Sequence, residues 1–336
     1  MITHKSYSLL PHNTFGIDVK CKKFIEYESL DELISIQDSL DEPYLHIGQG
    51  SNLLFTKDFD GTVLHSAIKG IEVVFESGDE AIIEVGSGEI WDDVVDFCVS
   101  HDYFGAENLS LIPGEMGAAA VQNIGAYGVE VKDIIETVFL LHKPTGKLIK
   151  MHANECKYAY RSSIFKKELK GQCFVYKVAL KLNKTFIPHL EYGGLLSYVM
   201  KKDIPLTKLT AQMLRDFIIE IRNSKLPDPK MTGNAGSFFM NPIVDTDTFN
   251  HLIAEYPSMP HYKADGGIKI PAGWMIEQCG WKQKSAGKAG VYEHQALVLV
   301  NKGGATGTDV LNLCNAIIED VKKHFGVEIH PEVNII

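Results

Sequence analysis

Several things are missing from this sequence, and each absence removes a class of function. No apolar run approaches the roughly 18 residues that cross a bilayer, so no membrane insertion is expected. The first fifteen residues are polar and lack the apolar stretch of a secretory signal. The six cysteines, Cys21, Cys98, Cys156, Cys173, Cys279 and Cys314, include no C-x-x-C pair. They read as reduced thiols of a cytoplasmic protein, neither a disulfide frame nor a metal site. A basic excess is missing too: 33 Lys and Arg stand against 43 Asp and Glu, a net charge of −10. Nucleic acid is thereby argued against, because binding phosphate chains needs a basic footprint. A small phosphorylated ligand stays open, since a few cations and backbone N–H groups hold one inside an acidic protein. There is no internal repeat and no low-complexity linker.

What is present is a chain of 336 residues, long enough for two or three domains, with 45% hydrophobic residues to build their cores. Residues 29–40 read as an amphipathic helix, with Ser29 and Glu32 as a capping box and Leu30, Leu33 and Ile34 on one face. Short strands are expected at 44–47, 53–55 and 62–65, and a hairpin at 71–76 and 81–85. Trp91, Val94, Val95, Cys98 and Val99 share a helical face up to His101. Further strands fall at 136–142 and 173–182. From about residue 210, Met213, Leu214, Phe217, Ile218 and Ile221 line a helix that must stop before Pro227 and Pro229. A last helix at 309–325 has Val310, Cys314, Ile317, Val321 and Phe325 in register. These elements make an α+β protein, divided at 1–68, 69–205, 206–320 and 321–336.

Five segments carry chemistry. Gly48-Gln49-Gly50-Ser51-Asn52 follows a strand, and such a loop brings backbone N–H groups close to a pyrophosphate. It is not the dinucleotide fingerprint, because Leu53 stands where that pattern has its third glycine. Residues 112–128, with Gly114, Gly117, Gly125 and Gly128 among small neighbours, read as backbone pressed against something flat or bulky. The alternative is a tight helix-packing face plus a turn. Gln122, Asn123 and Tyr127 add polar contacts there. Tyr158-Ala159-Tyr160-Arg161 places a guanidinium, a two-pronged carboxylate clamp, in an aromatic tract; the alternative is an exposed arginine on a strand edge. Ser237, in Gly233-Asn234-Ala235-Gly236-Ser237-Phe238-Phe239, lacks G-x-S-x-G spacing and reads on its own as a turn residue. Glu332, in His330-Pro331-Glu332-Val333, reads on its own as solvated surface.

In order and spacing these segments resemble the UDP-N-acetylenolpyruvoylglucosamine reductases, in their longer type I form. The resemblance runs from about Asn13 to Val333 and includes Asn13-Thr14-Phe15-Gly16, Gln122-Asn123-Ile124-Gly125-Ala126-Tyr127-Gly128 and Lys225-Leu226-Pro227-Asp228-Pro229. Leu190-Glu191-Tyr192-Gly193-Gly194-Leu195 looks like the type I substrate loop. Ala120, Met240 and Asn334 depart from the family pattern, none at a position given a chemical role.

The resemblance implies a two-subdomain FAD-binding region of the vanillyl-alcohol-oxidase (PCMH) type and a separate α+β substrate-binding domain. It implies noncovalent FAD, held by Gly48, Gly50, Ser51, Asn52, Leu53, Gly114, Gly117, Asn123, Gly125, Ala126, Tyr127, Gly128 and Arg222. It implies NADPH as hydride donor and the enolpyruvyl ether of UDP-N-acetylglucosamine as acceptor, contacted by Tyr160, Tyr192, Lys225 and Asn241. Arg161 and Glu332 would stabilise the charge that develops on the substrate, Glu332 best as a neutral donor in a dry site, and Ser237 would protonate the carbanion. A monomer in the cytoplasm is expected. The main rival is a flavin oxidase of the same superfamily, which reoxidises fast in air and has no preference for NADPH. A nucleotide-sugar binding module would be colourless, and a Ser237 hydrolase would carry no flavin.

Overall fold

The computed structural model describes residues 1–336 except Asp41 and Gly193. Two compact units divide the chain. The first takes Met1–Tyr7, Cys21–Gln49 and Asp60–Arg222; the second takes Ser8–Lys20, Gly50–Phe59 and Asn223–Ile336.

The first unit holds two large sheets and a two-stranded hairpin. The smaller orders its strands Ile2–Ser8, Lys20–Tyr27, Phe59–Ser66 and Tyr44–Ile47, the last two parallel. A parallel pair needs a crossover; here residues 48–58 make it, with the first glycine loop and the short strand Leu53–Leu54, while the helix Leu30–Gln37 comes earlier, between Lys20–Tyr27 and Tyr44–Ile47. Ser29 caps this helix, accepting from Glu32 N–H at 3.2 Å, while the Glu32 carboxylate reaches Glu28 N–H instead of closing the expected box. The expected face is also rotated: Leu33, Ile36 and Gln37 are buried and Ile34 is exposed. Leu33 and Ile36 pack with Ile25, Tyr27, Leu64, Leu141 and Phe174.

The larger sheet is antiparallel, ordered Lys147–His152, Ile135–His142, Cys173–Asn183, Glu80–Gly86 and Ile71–Glu76. The strand Lys147–His152 was not anticipated, since only Ile149 and Met151 mark its inner side. The helices Trp91–Ser100 and Met116–Gln122 share a core with it. All five expected side chains of the first helix are buried, Trp91 completely, and each contributes roughly 1.5–3 kcal/mol. A third cluster joins Leu190, Leu195 and Val199 to Leu214, Ile218 and Ile221 of the helix Ala211–Lys225. Met213, expected on that face, is exposed.

The second unit is built on a sheet ordered Gly233–Ser237, Val298–Asn301, Ala289–Val291 and Ser285–Ala286. A smaller sheet of Ile243–Val244, Gly267–Lys269 and Tyr262–Ala264 and the helices Thr246–Glu255, Ala272–Gln278 and Gly307–Phe325 complete it. The last helix has a full Thr306–Asp309 capping box, ends at Gly326, and buries every apolar residue expected of it. The Asn13-Thr14-Phe15-Gly16 motif packs here: Thr14 C=O accepts from Asn234 N–H at 2.9 Å, and Phe15 C=O from the buried Asn301 side chain at 2.9 Å. Two motifs more than 200 residues apart therefore need each other. No described helix is long and apolar enough to cross a membrane, and no cluster of His, Cys, Asp and Glu among the described residues is arranged to hold a metal.

Candidate functional site

In the first unit, the helix Met116–Gln122 ends at Asn123, which takes a left-handed φ of 48°. The buried Asn123 side chain donates to Ala159 C=O at 2.8 Å and Glu130 at 3.0 Å, and accepts from Lys132 N–H at 3.2 Å. Gly125–Ala126 and Val129–Glu130 then form a tiny hairpin. Its two turn residues, Tyr127 and Gly128, both have positive φ, 47° and 83°. That is the twist a two-residue hairpin needs.

Arg161 lies on neither a strand nor its edge. It sits in a tight turn closed by Ala159 and Ser162, with φ 52°. Its Nη2 donates to Gly125 C=O at 2.7 Å, its Nη1 reaches Asn123 C=O at 3.4 Å, and its guanidinium lies 5.5 Å from the Tyr160 ring centre. Asn123, Tyr127 and Arg161 thus meet as three non-glycine residues in strained backbone. Such strain costs about 1–3 kcal/mol per residue and persists where surrounding contacts over-determine it.

Arg222 joins this cluster. Burial pulls its pKa down; Tyr127 and Asp92 oppose that, and the neighbouring Arg161 cation reinforces it. Its Nε is buried without a hydrogen-bond partner. The helix that carries it is pinned by Arg215, whose Nη1 meets Asp92 at 2.7 Å and whose Nε meets Asp96 at 3.3 Å. Two guanidiniums in one partly buried place repel each other, and an anion relieves that cost.

Tyr192 is exposed, and a Cβ added at Gly128 would lie 3.1 Å from its Cβ, so the Tyr192 loop rests on the hairpin turn. Asn108, which sequence reasoning missed, donates to both Tyr127 C=O and His189 C=O at 2.9 Å and ties the loop's base to the turn. Gly193 of this loop lies outside the described residues. Gly114 is buried with φ 129°. A Cβ at Gly117 would fall 2.8 Å from Ser87 Cβ, so at this position the close neighbour demanding glycine is the protein itself.

The first glycine loop is shared between the units: Gly48 belongs to the first, and Gly50, Ser51, Asn52 and Leu53 to the second. Gly50 has φ 69°, and a Cβ on it would fall 1.9 Å from His12 C=O. Asn52 follows, its Nδ2 donating to Glu332 C=O at 3.3 Å and its own C=O accepting from Asn334 N–H at 3.1 Å. Leu53–Leu54 pairs in parallel with Asn334–Ile335.

The same C-terminal segment lies against residues 238–240. Glu332 N–H donates to Phe238 C=O at 2.8 Å and Met240 N–H to His330 C=O at 2.9 Å. Glu332 is thus half-buried, not solvated surface. Ser237 is exposed, the last residue of Gly233–Ser237 and not a turn residue, after a register shift beyond Asn234. Fully buried Phe238 and Phe239 fix the backbone beside it. The second unit therefore brings Asn52, Ser237 and Glu332 to one place. Asn241 is engaged at the start of the helix Ala272–Gln278, accepting from Ala272 N–H at 2.9 Å. Lys225 is the exposed last residue of the helix Ala211–Lys225.

Comparisons with known proteins agree with this architecture. A family model described as "FAD binding domain" matches residues 24–152. One described as "UDP-N-acetylenolpyruvoylglucosamine reductase, C-terminal domain" matches residues 228–336. A Bacteroides fragilis protein named UDP-N-acetylenolpyruvoylglucosamine reductase is 54% identical over 335 residues, covering 99% of each chain. A Porphyromonas gingivalis protein of the same name is 48% identical over 340 residues, covering 100% of each. The crystal structure of the corresponding Thermus caldophilus reductase, 21% identical, has the same fold, with a TM-score of 0.69 over 99% of this chain and 98% of that one. The expected α+β class, with an FAD-binding region followed by a separate C-terminal domain, is borne out.

Proposed function

Because this chain belongs to the UDP-N-acetylenolpyruvoylglucosamine reductase family, we propose the following division of labour among its residues, with NADPH as the hydride source. The chain is a flavoprotein oxidoreductase that reduces the enolpyruvyl ether of UDP-N-acetylglucosamine to UDP-N-acetylmuramate, a step in peptidoglycan precursor synthesis. FAD, when bound noncovalently, would supply the hydride-transfer chemistry between NADPH and the enolpyruvyl group.

The residues present fit an anionic cofactor. The buried, unpartnered Nε of Arg222 beside a second guanidinium supports that reading. Gly48, Gly50, Ser51, Asn52 and Leu53, with Gly114, Gly117, Asn123, Gly125, Ala126, Tyr127 and Gly128, hold the cofactor, and Arg222 takes part of its charge. Arg161 clamps the substrate carboxylate, its guanidinium pre-set by Gly125 C=O. Glu332 stabilises the same carboxylate as charge flows into it. Ser237 donates the proton to the carbon next to that carboxylate. Tyr160, Tyr192, Lys225 and Asn241 contact substrate, Tyr192 from its exposed loop. The single observation that carries this scheme is the backbone pairing that sets Glu332 beside the residue after Ser237. The chain works as a cytoplasmic monomer.

An anaerobic experiment tests the scheme. NADPH should bleach the flavin, and the enolpyruvyl substrate should restore its oxidised spectrum without oxygen. A flavin oxidase would need oxygen for that recovery. In Ser237→Ala the bleaching should stay near wild type while recovery slows about 10²–10⁴-fold, the usual worth of a positioned acid. Equal slowing of both half-reactions removes Ser237 from the proton-donor role.

A further inference from the structure

A half-buried polar triad lies beside the glycine segments of the first unit. His65, on the strand Phe59–Ser66, places Nδ1 2.8 Å from Glu26 Oε2 and Nε2 2.9 Å from Glu115 Oε1. His65 is 12% exposed, Glu26 26% and Glu115 7%, so the Glu115 side of the triad is the better shielded from water. Glu26 lies on the neighbouring strand Lys20–Tyr27. Glu115 stands at the N-cap of Met116–Gln122, inside the glycine tract, yet its carboxylate does not cap that helix. It turns to His65, and its Oε2 lies 3.0 Å from where a Cβ on Gly48 would be. The carboxylate therefore bridges the strand carrying His65, the first glycine loop and the glycine tract.

A protonated ring satisfies both contacts at once, donating from each nitrogen. A neutral imidazole has one N–H and one lone pair, so it donates to only one of two carboxylates. The other carboxylate would face a lone pair inside a partly dry site and lose its hydrogen bond. Burial alone would lower the ring's pKa, but the hydrogen bonds and charges of Glu115 and Glu26 outweigh it and hold the pKa above its ordinary value. His46, on Tyr44–Ile47, is held neutral, pushed down to about 4 by burial and then by the His65 charge, and the Tyr27 hydroxyl bonds to it at 2.8 Å.

We infer that His65 is a positioning residue for the cofactor: its imidazolium locks Glu115 against Gly48, and so sets the spacing of the two glycine segments that grip FAD. This rests on the reading that Gly48, Gly114 and Gly117 contact FAD. Loss of the proton leaves two carboxylates with one donor between them, and Glu115 is then no longer held against Gly48. FAD affinity is full while His65 is charged and falls as pH rises through its raised pKa.

The test is FAD affinity of the full chain between pH 6 and 9.5, read from quenching of flavin fluorescence. Wild type should lose affinity at least about tenfold toward high pH, the worth of one charged hydrogen bond. Glu115→Gln can donate its amide to a neutral ring, so its profile should be flat and its affinity at pH 9.5 above that of wild type. His65→Gln should bind weakly across the range. A flat wild-type profile, or an unchanged slope in Glu115→Gln, overturns the proposal even if His65→Gln fails to fold. Absence of FAD binding by wild type at every pH would overturn the glycine-segment reading instead.

Discussion

Gly50→Ala is the sharpest perturbation the structure offers. Alanine at φ 69° pays about 1–2 kcal/mol for the left-handed conformation. Its Cβ would also sit 1.9 Å from His12 C=O, inside the 3.0 Å that real Cβ contacts essentially never breach. The obstacle is backbone, so either the loop or residues 12–14 must retreat, weakening the Thr14 N–H bond to Gly50 C=O, which costs ~1 kcal/mol. A total of about 3 kcal/mol corresponds to a fall of roughly 6–12 °C in Tm for a unit of this size. The same retreat moves Asn52, which holds Glu332 C=O, so substrate-driven flavin reoxidation should slow as well. Gly78→Ala is the control: Gly78 is exposed, with nothing within 4 Å of an added Cβ, and should change stability by less than about 0.5 kcal/mol. Thermal melts of both variants, followed by flavin and far-ultraviolet signals, decide the matter. A Gly50→Ala melt within 2 °C of wild type would refute the argument that the loop has no room.

Other outcomes follow from the same geometry. Glu332→Ala removes the donor; reoxidation by substrate should fall while NADPH-driven bleaching does not, and a loss no larger than that of an exposed Glu→Ala change would end the assigned role. Arg222→Met should weaken FAD binding at least about tenfold, yet leave the cofactor-free protein as stable or more so, because it removes a buried cation with an unpartnered Nε beside another cation; fluorescence titration and melts read both. Acid should destabilise the fold through His46. With its folded pKa near 4 against an ordinary 6.5, the unfolded chain binds the proton first, so stability is full above about pH 6.5 and declines by up to about 3 kcal/mol as pH falls toward 4. Urea unfolding at pH 7, 5.5 and 4.5 should follow that slope, and His46→Gln should flatten it.

Local periodicity was legible in the sequence wherever one face of an element met a core. Trp91–Ser100 and Gly307–Phe325 have the expected buried residues because a helix of three or more turns repeats its signal. The helix Leu30–Gln37 turned its face, because in two turns the i, i+3, i+4 pattern can start from Leu30, giving Leu33 and Ile34, or from Leu33, giving Ile36 and Gln37. Arg161 and Asn123 could be suspected from residue type, but not their positive φ, which tertiary contacts impose. Glu332 carried no local signal, since backbone pairing with residues 238–240 and a bond from Asn52 hold it in place. The Glu26–His65–Glu115 triad was invisible for the same reason: its members stand 39 and 50 positions apart.

The second unit is assembled from three separate stretches, and that has a consequence for how the molecule is made. During synthesis residues 8–20 and 50–59 emerge early, but the strands they serve come only after residue 223. Until then the Phe15 carbonyl lacks Asn301, and Leu53–Leu54 lacks its parallel partner. Contacts of such long sequence separation form late and slowly. Residues 228–336, though matched as a family domain, are therefore not a detachable module. Cut out alone, they would present a buried asparagine without its acceptor and an unpaired edge, so grafts and truncations of this protein have to carry its N-terminal segments with them.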